Sequence, residues 1–194
     1  MKHLVVYSHP NPKSFNHAIL EAYVSQLKIQ ENEVRVRDLY ALDFDPVLKA
    51  EDLEGFPQGK FAQDVQEEQG HVRWAEILTF ICPVWWAGFP ANIRGYMDRV
   101  FSLNFAYAYT SDGVQPLLKG KRILVINTLG DSSENYEKKG FFKCMDKLMD
   151  EIAFEFCGLE VLGHTYFGSV TVCSDEERKS MLEQVRQLAC QLKA

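Results

Sequence analysis

Two runs, Ile77-Leu78-Thr79-Phe80-Ile81-Cys82 and Ile123-Leu124-Val125-Ile126, are almost free of polar positions. A strand with one wet face alternates polar and apolar residues. Short runs this uniformly apolar fit strands covered on both faces, as in a parallel sheet with helices above and below. They define candidate strands at Ile77–Pro83 and Ile123–Thr128, and three weaker runs add Leu4–Ser8, Val34–Asp38 and Leu159–Thr165. Amphipathic stretches fill the intervals. Phe15–Gln30 places Phe15, Ile19, Ala22, Tyr23 and Leu27 on one side at three- and four-residue steps. Phe61–Trp74 is more polar, Ala91–Phe101 starts behind Pro90, and Phe141–Phe156 ends at Cys157-Gly158, a glycine stop. The last helix opens on the capping box Ser174-Asp175-Glu176-Glu177 and presents Met181, Val185, Leu188 and Leu192. Strands alternating with helices predict one doubly wound α/β domain over residues 1–194, with its ligand crevice at the carboxyl ends of the strands.

Composition narrows the function. A net charge of −6 on 194 residues argues against nucleic acid as the main partner. It leaves room for an anionic cofactor, because backbone N–H groups at a helix start bind phosphate without formal charge. No apolar stretch is long enough for a membrane span, and the short run Leu4–Tyr7 predicts no signal peptide. The five cysteines (Cys82, Cys144, Cys157, Cys173, Cys190) are scattered and never spaced C-x-x-C, which predicts reduced thiols in a cytoplasmic protein. His71 and His164 show no metal-ligand spacing, and no metal site is expected.

Three loops at the predicted crevice carry the chemistry. The first, Ser8-His9-Pro10-Asn11-Pro12-Lys13-Ser14-Phe15-Asn16, lacks both G-x-G-x-x-G and the P-loop signature. It offers hydroxyl, amide and imidazole groups beside a helix start, a phosphate cradle in physical terms; an ordinary βα turn capped by Ser14 is the plainer alternative. The second, Pro83-Val84-Trp85-Trp86-Ala87-Gly88-Phe89-Pro90, sets two tryptophans side by side. Neighbours in extended chain point opposite ways, so one needs a surface other than the core. A flat heteroaromatic ligand supplies one, and so does a hydrophobic plug or a dimer partner. Gly88 would allow close backbone approach. The third, Asn127 to Tyr136, closes the same crevice with small and hydroxyl-bearing residues.

Ser14-Phe15-Asn16, Pro83-x-x-Trp86-x-Gly88-x-Pro90, Arg99-Val100-Phe101 and Phe105-Ala106-Tyr107-x-Tyr109 resemble, in order, the motifs of the NAD(P)H quinone reductase family, the flavodoxin-like group that includes mammalian DT-diaphorase. The likeness extends through Asp38-Leu39-Tyr40-Ala41 and Phe156-Cys157-Gly158 and so covers most of the chain. It implies a five-stranded parallel sheet of order 2-1-3-4-5, a bound flavin and a homodimer with its active sites at the subunit interface. It also implies two-electron ping-pong transfer from NAD(P)H to a quinone, azo or nitroaromatic acceptor. Carried across by position, the flavin-binding set is His9, Ser14, Phe15, Asn16, Pro83, Val84, Trp85, Trp86, Ala87, Thr128, Leu129, Gly130, Asp131 and Tyr136. Arg178 falls where the family has an arginine near the adenine half, which favours FAD over FMN. Phe105, Ala106, Tyr107 and Tyr109 match the border of the substrate pocket, and Tyr136 is the catalytic candidate, a hydrogen-bond donor to the reduced ring. The chain departs from the family at Asp131 and Glu134 in a loop often rich in glycine, and at Phe142 where the mammalian enzymes have a histidine. Its segment from Pro46 to Phe61 is also shorter.

Three other classes compete. A flavodoxin-type electron carrier has little use for the aromatic set Phe105, Tyr107 and Tyr109. A regulatory subunit of a potassium-efflux system is permitted by the acidic composition but not indicated by it. A phosphoacceptor receiver needs an acidic cluster after the first strand, where this chain has Ser8-His9.

Overall fold

The computed structural model describes residues 1–192. Its elements are β1 (Lys2–Tyr7), α1 (Phe15–Ile29), β2 (Glu33–Asp38), α2 (Ala50–Gly55), α3 (Gln63–Trp74), β3 (Ile77–Pro83) and α4 (Ala91–Val100), followed by β4 (Tyr107–Thr110), β5 (Gly113–Pro116), β6 (Arg122–Thr128), α5 (Ser133–Lys138), α6 (Phe141–Asp146), β7 (Glu160–Phe167) and α7 (Asp175–Gln191). Five strands form one parallel sheet in the order β2-β1-β3-β6-β7, and β4 with β5 makes a separate antiparallel hairpin. With the hairpin strands left out of the count, this is the expected order 2-1-3-4-5.

The apolar runs explain themselves in the packing. Successive residues of a strand point to opposite faces, so Leu78, Phe80 and Val125 join one buried cluster, while Ile81, Leu124 and Ile126 join the other. The first cluster takes in Val72 of α3, Tyr96 of α4 and Met145 of α6; the second takes in Ile19 and Tyr23 of α1 and Val185 of α7. Phe80 is the aromatic hub of the first, with Tyr96, Phe101 and Phe154 at 5.6–6.3 Å between ring centroids.

Two helices differ from expectation. The helix expected over Phe141–Phe156 is α-helical only to Asp146; a wider π-type winding follows over Lys147–Phe154, then a tight 3₁₀ turn over Glu155–Cys157. The wider turn accompanies a buried acid, Asp150, which faces His164 of β7 at 3.1 Å. Gly158 ends the segment with φ of +87°, as its position after Cys157 implied. Phe61 lies outside α3, and its ring sits 5.8 Å from that of Phe56. Arg99 of α4 is structural, and its partners lie on other elements. The buried guanidinium holds Asp52 at 3.0 Å and Asp64 at 2.5 Å, whereas Asp98 pairs with Arg94.

Candidate functional site

Tyr7 pairs in register with Ile81, and Pro83 with Thr128, so β1, β3 and β6 end at one level and their three following loops meet there. The loop after β1 is shaped by its own side chains. Asn11 Oδ1 accepts from Lys13 N–H at 2.9 Å, Asn11 N–H donates to His9 Nδ1 at 3.0 Å, and Ser14 N–H donates to the Asn11 carbonyl at 3.1 Å. Ser14 then caps α1 by accepting from His17 N–H at 3.2 Å. Partial burial, against a smaller opposing pull from the Asn11 backbone, holds the His9 pKa below its ordinary value. The first turn of α1 carries no acidic residue, so its positive end faces the crevice uncompensated.

Asn16 ties this helix to the third loop, its Nδ2 donating to Thr128 Oγ1 at 2.8 Å. Val84 N–H donates to the Thr128 carbonyl at 2.9 Å and joins the second loop to the third. Trp85 and Gly88 exchange backbone hydrogen bonds at 3.0 and 3.1 Å around a two-residue turn, whose central residues Trp86 and Ala87 have φ of +52° and +58°. Such turns favour Asn-Gly. Side chains with a Cβ hold this backbone at a cost of about 1 kcal/mol or more each. The positive angles fall on Trp86 and Ala87 rather than on Gly88, where an added Cβ would meet only Met149 Cε at 4.0 Å. The two tryptophans occupy a turn and not the extended chain expected for them. Both are exposed, Trp85 at 42% and Trp86 completely.

These loops enclose a cleft of about 400 Å³. It gathers His9, Ser14, Phe15 and Asn16 from the first loop, Pro83, Val84 and Trp85 from the second, Thr128, Leu129 and Gly130 from the third, and Arg178 from α7. Arg178 lies over the Phe15 ring with its guanidinium carbon 5.6 Å from the centroid. Val170 and Thr171, after β7, complete the wall. Nothing in the residue type of these two marks them in the sequence; the signal is positional, since their segment follows β7, the strand next to β6.

Trp86, Ala87, Asp131 and Tyr136 do not line the cleft as it stands. The Asp131 carboxylate accepts from Ser132 N–H at 2.7 Å and from the Asn135 amide, and these bonds lower its pKa. Tyr136 packs against Phe141 and Phe142, and its hydroxyl makes no hydrogen bond among the described residues. Phe142 in turn stacks on Tyr166 at 4.4 Å. Phe105 and Ala106 are buried, the former under Arg73, so of that set only Tyr107 and Tyr109 present surface. Their rings meet edge to face at 5.8 Å.

The cleft suits a flavin. Asn16 Oδ1 in its lining is buried without a hydrogen-bond partner among the described residues, a costly state that a polar ligand relieves. A helix start and Ser14 stand at one end of the cleft, and Pro83, Val84 and Trp85 give an apolar wall for a flat ring.

Comparison with known proteins adds an independent finding. Residues 1–189 match a family described as having a flavodoxin-like fold. The chain is 36% identical over 190 residues to a Haemophilus influenzae protein named as an uncharacterized NAD(P)H oxidoreductase, covering 96% of this chain and 93% of that one. It is 32% identical over 201 residues to the human ribosyldihydronicotinamide dehydrogenase [quinone], covering 93% and 87%. Among solved structures, the NAD(P)H:quinone oxidoreductase of Methanothermobacter marburgensis superposes with a TM-score of 0.91 at 26% identity, covering 100% of this chain and 99% of that one.

Proposed function

This chain belongs to the flavodoxin-like family that holds the NAD(P)H and quinone oxidoreductases, and on that premise we propose that it uses a flavin bound in the three-loop cleft to move two electrons from NAD(P)H to a quinone. The observation that carries the reading is the cleft itself, where an uncompensated helix start, the buried unpaired Asn16 Oδ1 and an aromatic wall converge. The reaction balances as NAD(P)H, a proton and a quinone giving NAD(P)⁺ and a hydroquinone. A bound flavin would supply the hydride-accepting ring and two-electron chemistry of the transfer.

The chain's own residues bind and orient. Ser14, Phe15, Asn16 and the first N–H groups of α1 hold the phosphate end. Pro83, Val84, Trp85, Trp86 and Ala87 cover the ring, and Thr128, Leu129, Gly130 and Asp131 present polar atoms to its edge. Tyr136 donates its free hydroxyl toward the negative charge that reduction creates, which puts it at the reacting end. Arg178, with Val170 and Thr171, extends the cleft beyond Phe15, and this room supports FAD over FMN. Donor and acceptor use one exposed surface beside Trp86 in turn.

The larger groove of about 590 Å³, lined by Leu53, Met97, Tyr107, Leu148, Ile152 and Phe156, is where a second copy docks. Leu53, Leu148 and Ile152 are each 58–61% exposed, an apolar face of the kind that marks an interface. Tyr107 and Tyr109 then stand at the subunit boundary. Quinone, azo and nitroaromatic compounds are the acceptor classes such an open site admits, in a cytoplasmic setting that suits five free cysteines.

Steady-state turnover tests the reading. NAD(P)H oxidation with a soluble quinone as sole acceptor, and no partner protein, is expected to give parallel double-reciprocal lines. Intersecting lines would rule out a shared site, and the absence of turnover without a protein partner would favour the electron carrier.

A further inference from the structure

The end of α6, the segment after it and the edge strand β7 bring nitrogen and oxygen donors to one point that the cleft does not use. His164 Nδ1 lies 3.1 and 3.2 Å from the two carboxylate oxygens of Asp150, 3.7 Å from Asp146 Oδ1 and 3.1 Å from the Tyr166 hydroxyl. The His164 side chain is 3% exposed and that of Asp150 12%, while Asp146 at 46% opens the cluster to solvent. Asp146 and Asp150 are four residues apart, and the wider winding after Asp146 carries Asp150 toward the strand.

The other side of the ring is set independently. Asn127 Nδ2 donates to the Cys82 carbonyl at 2.8 Å, so Asn127 presents Oδ1 to His164, 2.7 Å from Nε2. An oxygen acceptor there places the ring hydrogen on Nε2 and leaves Nδ1 as a lone pair in the neutral imidazole. Tyr166 commits its one hydrogen to Asp146 Oδ1 at 2.8 Å. In that neutral ring Nδ1 points its lone pair at the Asp150 and Asp146 carboxylate oxygens, so the buried cluster has room for one cation, a metal ion or a proton, at its centre. An imidazole held by an outer carbonyl through its far nitrogen is the arrangement that orients metal-binding histidines.

We propose that Asp146, Asp150 and His164 bind a divalent cation of the zinc class, linking the π-wound segment to β7. Ligands about 2.0–2.1 Å from a tetrahedral ion lie roughly 3.3 Å from one another; His164 Nδ1 lies 3.1 Å from Asp150 and 3.7 Å from Asp146, which bracket that value, and one donor atom from each of the three residues falls within 4.8 Å of the others. Two carboxylates balance a double positive charge, and the exposed side at Asp146 leaves a fourth position for water or the Tyr166 oxygen. A mixed nitrogen and oxygen set suits zinc, whereas magnesium prefers six oxygens. The other cluster of similar spacing, Glu67, Glu68 and His71, already has its charge supplied. Arg37 lies 3.0 Å from Glu67 and 2.5 Å from Glu68, and Arg35 lies 3.2 Å from His71.

The test is calorimetric titration of Zn²⁺ into the protein as isolated, freed of adventitious metal with a chelator. One ion per chain is expected. Affinity should fall about 10-fold or more in Asp146→Asn and about 100-fold or more in His164→Gln, at least the loss that follows removal of an outer-shell partner, while Mg²⁺ gives no heat at the same concentration. Asp146 is half-exposed, so its asparagine variant keeps the fold, which circular dichroism checks. Zinc should raise the Tm of the parent and not of Asp146→Asn. A parent that binds zinc no tighter than His164→Gln, or binding that depends on His71 instead, would overturn the proposal and leave a proton on Nδ1 as the charge.

Discussion

At the scale of single residues, two buried or unpaired side chains make the clearest predictions. The Tyr136 hydroxyl has no partner among the described residues, and its proposed role is to donate toward charge that appears on reduction. Tyr136→Phe removes one donor, which contributes about 1.4 kcal/mol and therefore about tenfold in rate. Stopped-flow oxidation of NAD(P)H by the flavin-loaded protein, without acceptor, measures it; an unchanged rate would remove Tyr136 from the chemistry. His3 is wholly buried on β1, with both ring nitrogens unpartnered among the described residues. Burial first, then the Met1 ammonium and Arg122, lower its pKa from 6.5 to about 4, against an upward pull from Glu76. The folded ring stays neutral where the unfolded ring takes up a proton, so its contribution is complete above pH 6.5 and lost as pH falls toward 4. Between pH 7 and pH 5 the loss is about 2 kcal/mol. Urea unfolding of His3→Gln should show a pH dependence flatter by that amount, and identical profiles would contradict the assignment.

At the scale of elements, the central strands were legible because each is covered on both faces and has a pattern with no competing interpretation. Ile77–Pro83 appears in the structure with the bounds its apolar run implied, and α7 starts behind the capping box at Ser174. What escaped is short or set by tertiary partners. Neither α2 nor α5 exceeds six residues, too few for a helical period to show. The π-type winding before Phe154 follows where Asp150 meets His164, a pairing that no local pattern records. Of the cleft lining, His9, Ser14 to Asn16, Pro83 to Trp85, Thr128 to Gly130 and Arg178 were legible, while Val170 and Thr171 were not, and Trp86, Ala87, Asp131 and Tyr136 stand outside it. The same dependence on distant partners governs Gly95 in α4, where an added Cβ would lie 2.1 Å from the Pro46 carbonyl oxygen. Gly95→Ala must push the Pro46 segment away from the helix and should lower stability by roughly 1–3 kcal/mol, the usual range for overpacking. Chemical denaturation reads this directly, and a neutral substitution would mean that the segment is not held against α4.

At the scale of the whole molecule, two hollows divide the labour. The cleft of about 400 Å³ at the strand ends is polar at one end and aromatic at the other, while the groove of about 590 Å³ is bordered by exposed apolar side chains. The first is proposed to hold the cofactor and the second a partner copy. Ile152→Glu buries an unpaired charge in that interface and should convert a dimer into a monomer by light scattering, with the cleft's ligand affinity retained. A parent that is monomeric at high concentration would contradict the docking assignment. All of this depends on the cleft accepting a flavin. The most direct measurement is the visible absorption spectrum of the purified protein after incubation with excess FAD or FMN and removal of free ligand. A flavin spectrum at one chromophore per chain, abolished when Asn16→Ala and Trp85→Ala are combined, is the expected result. A colourless protein that retains neither flavin would contradict it.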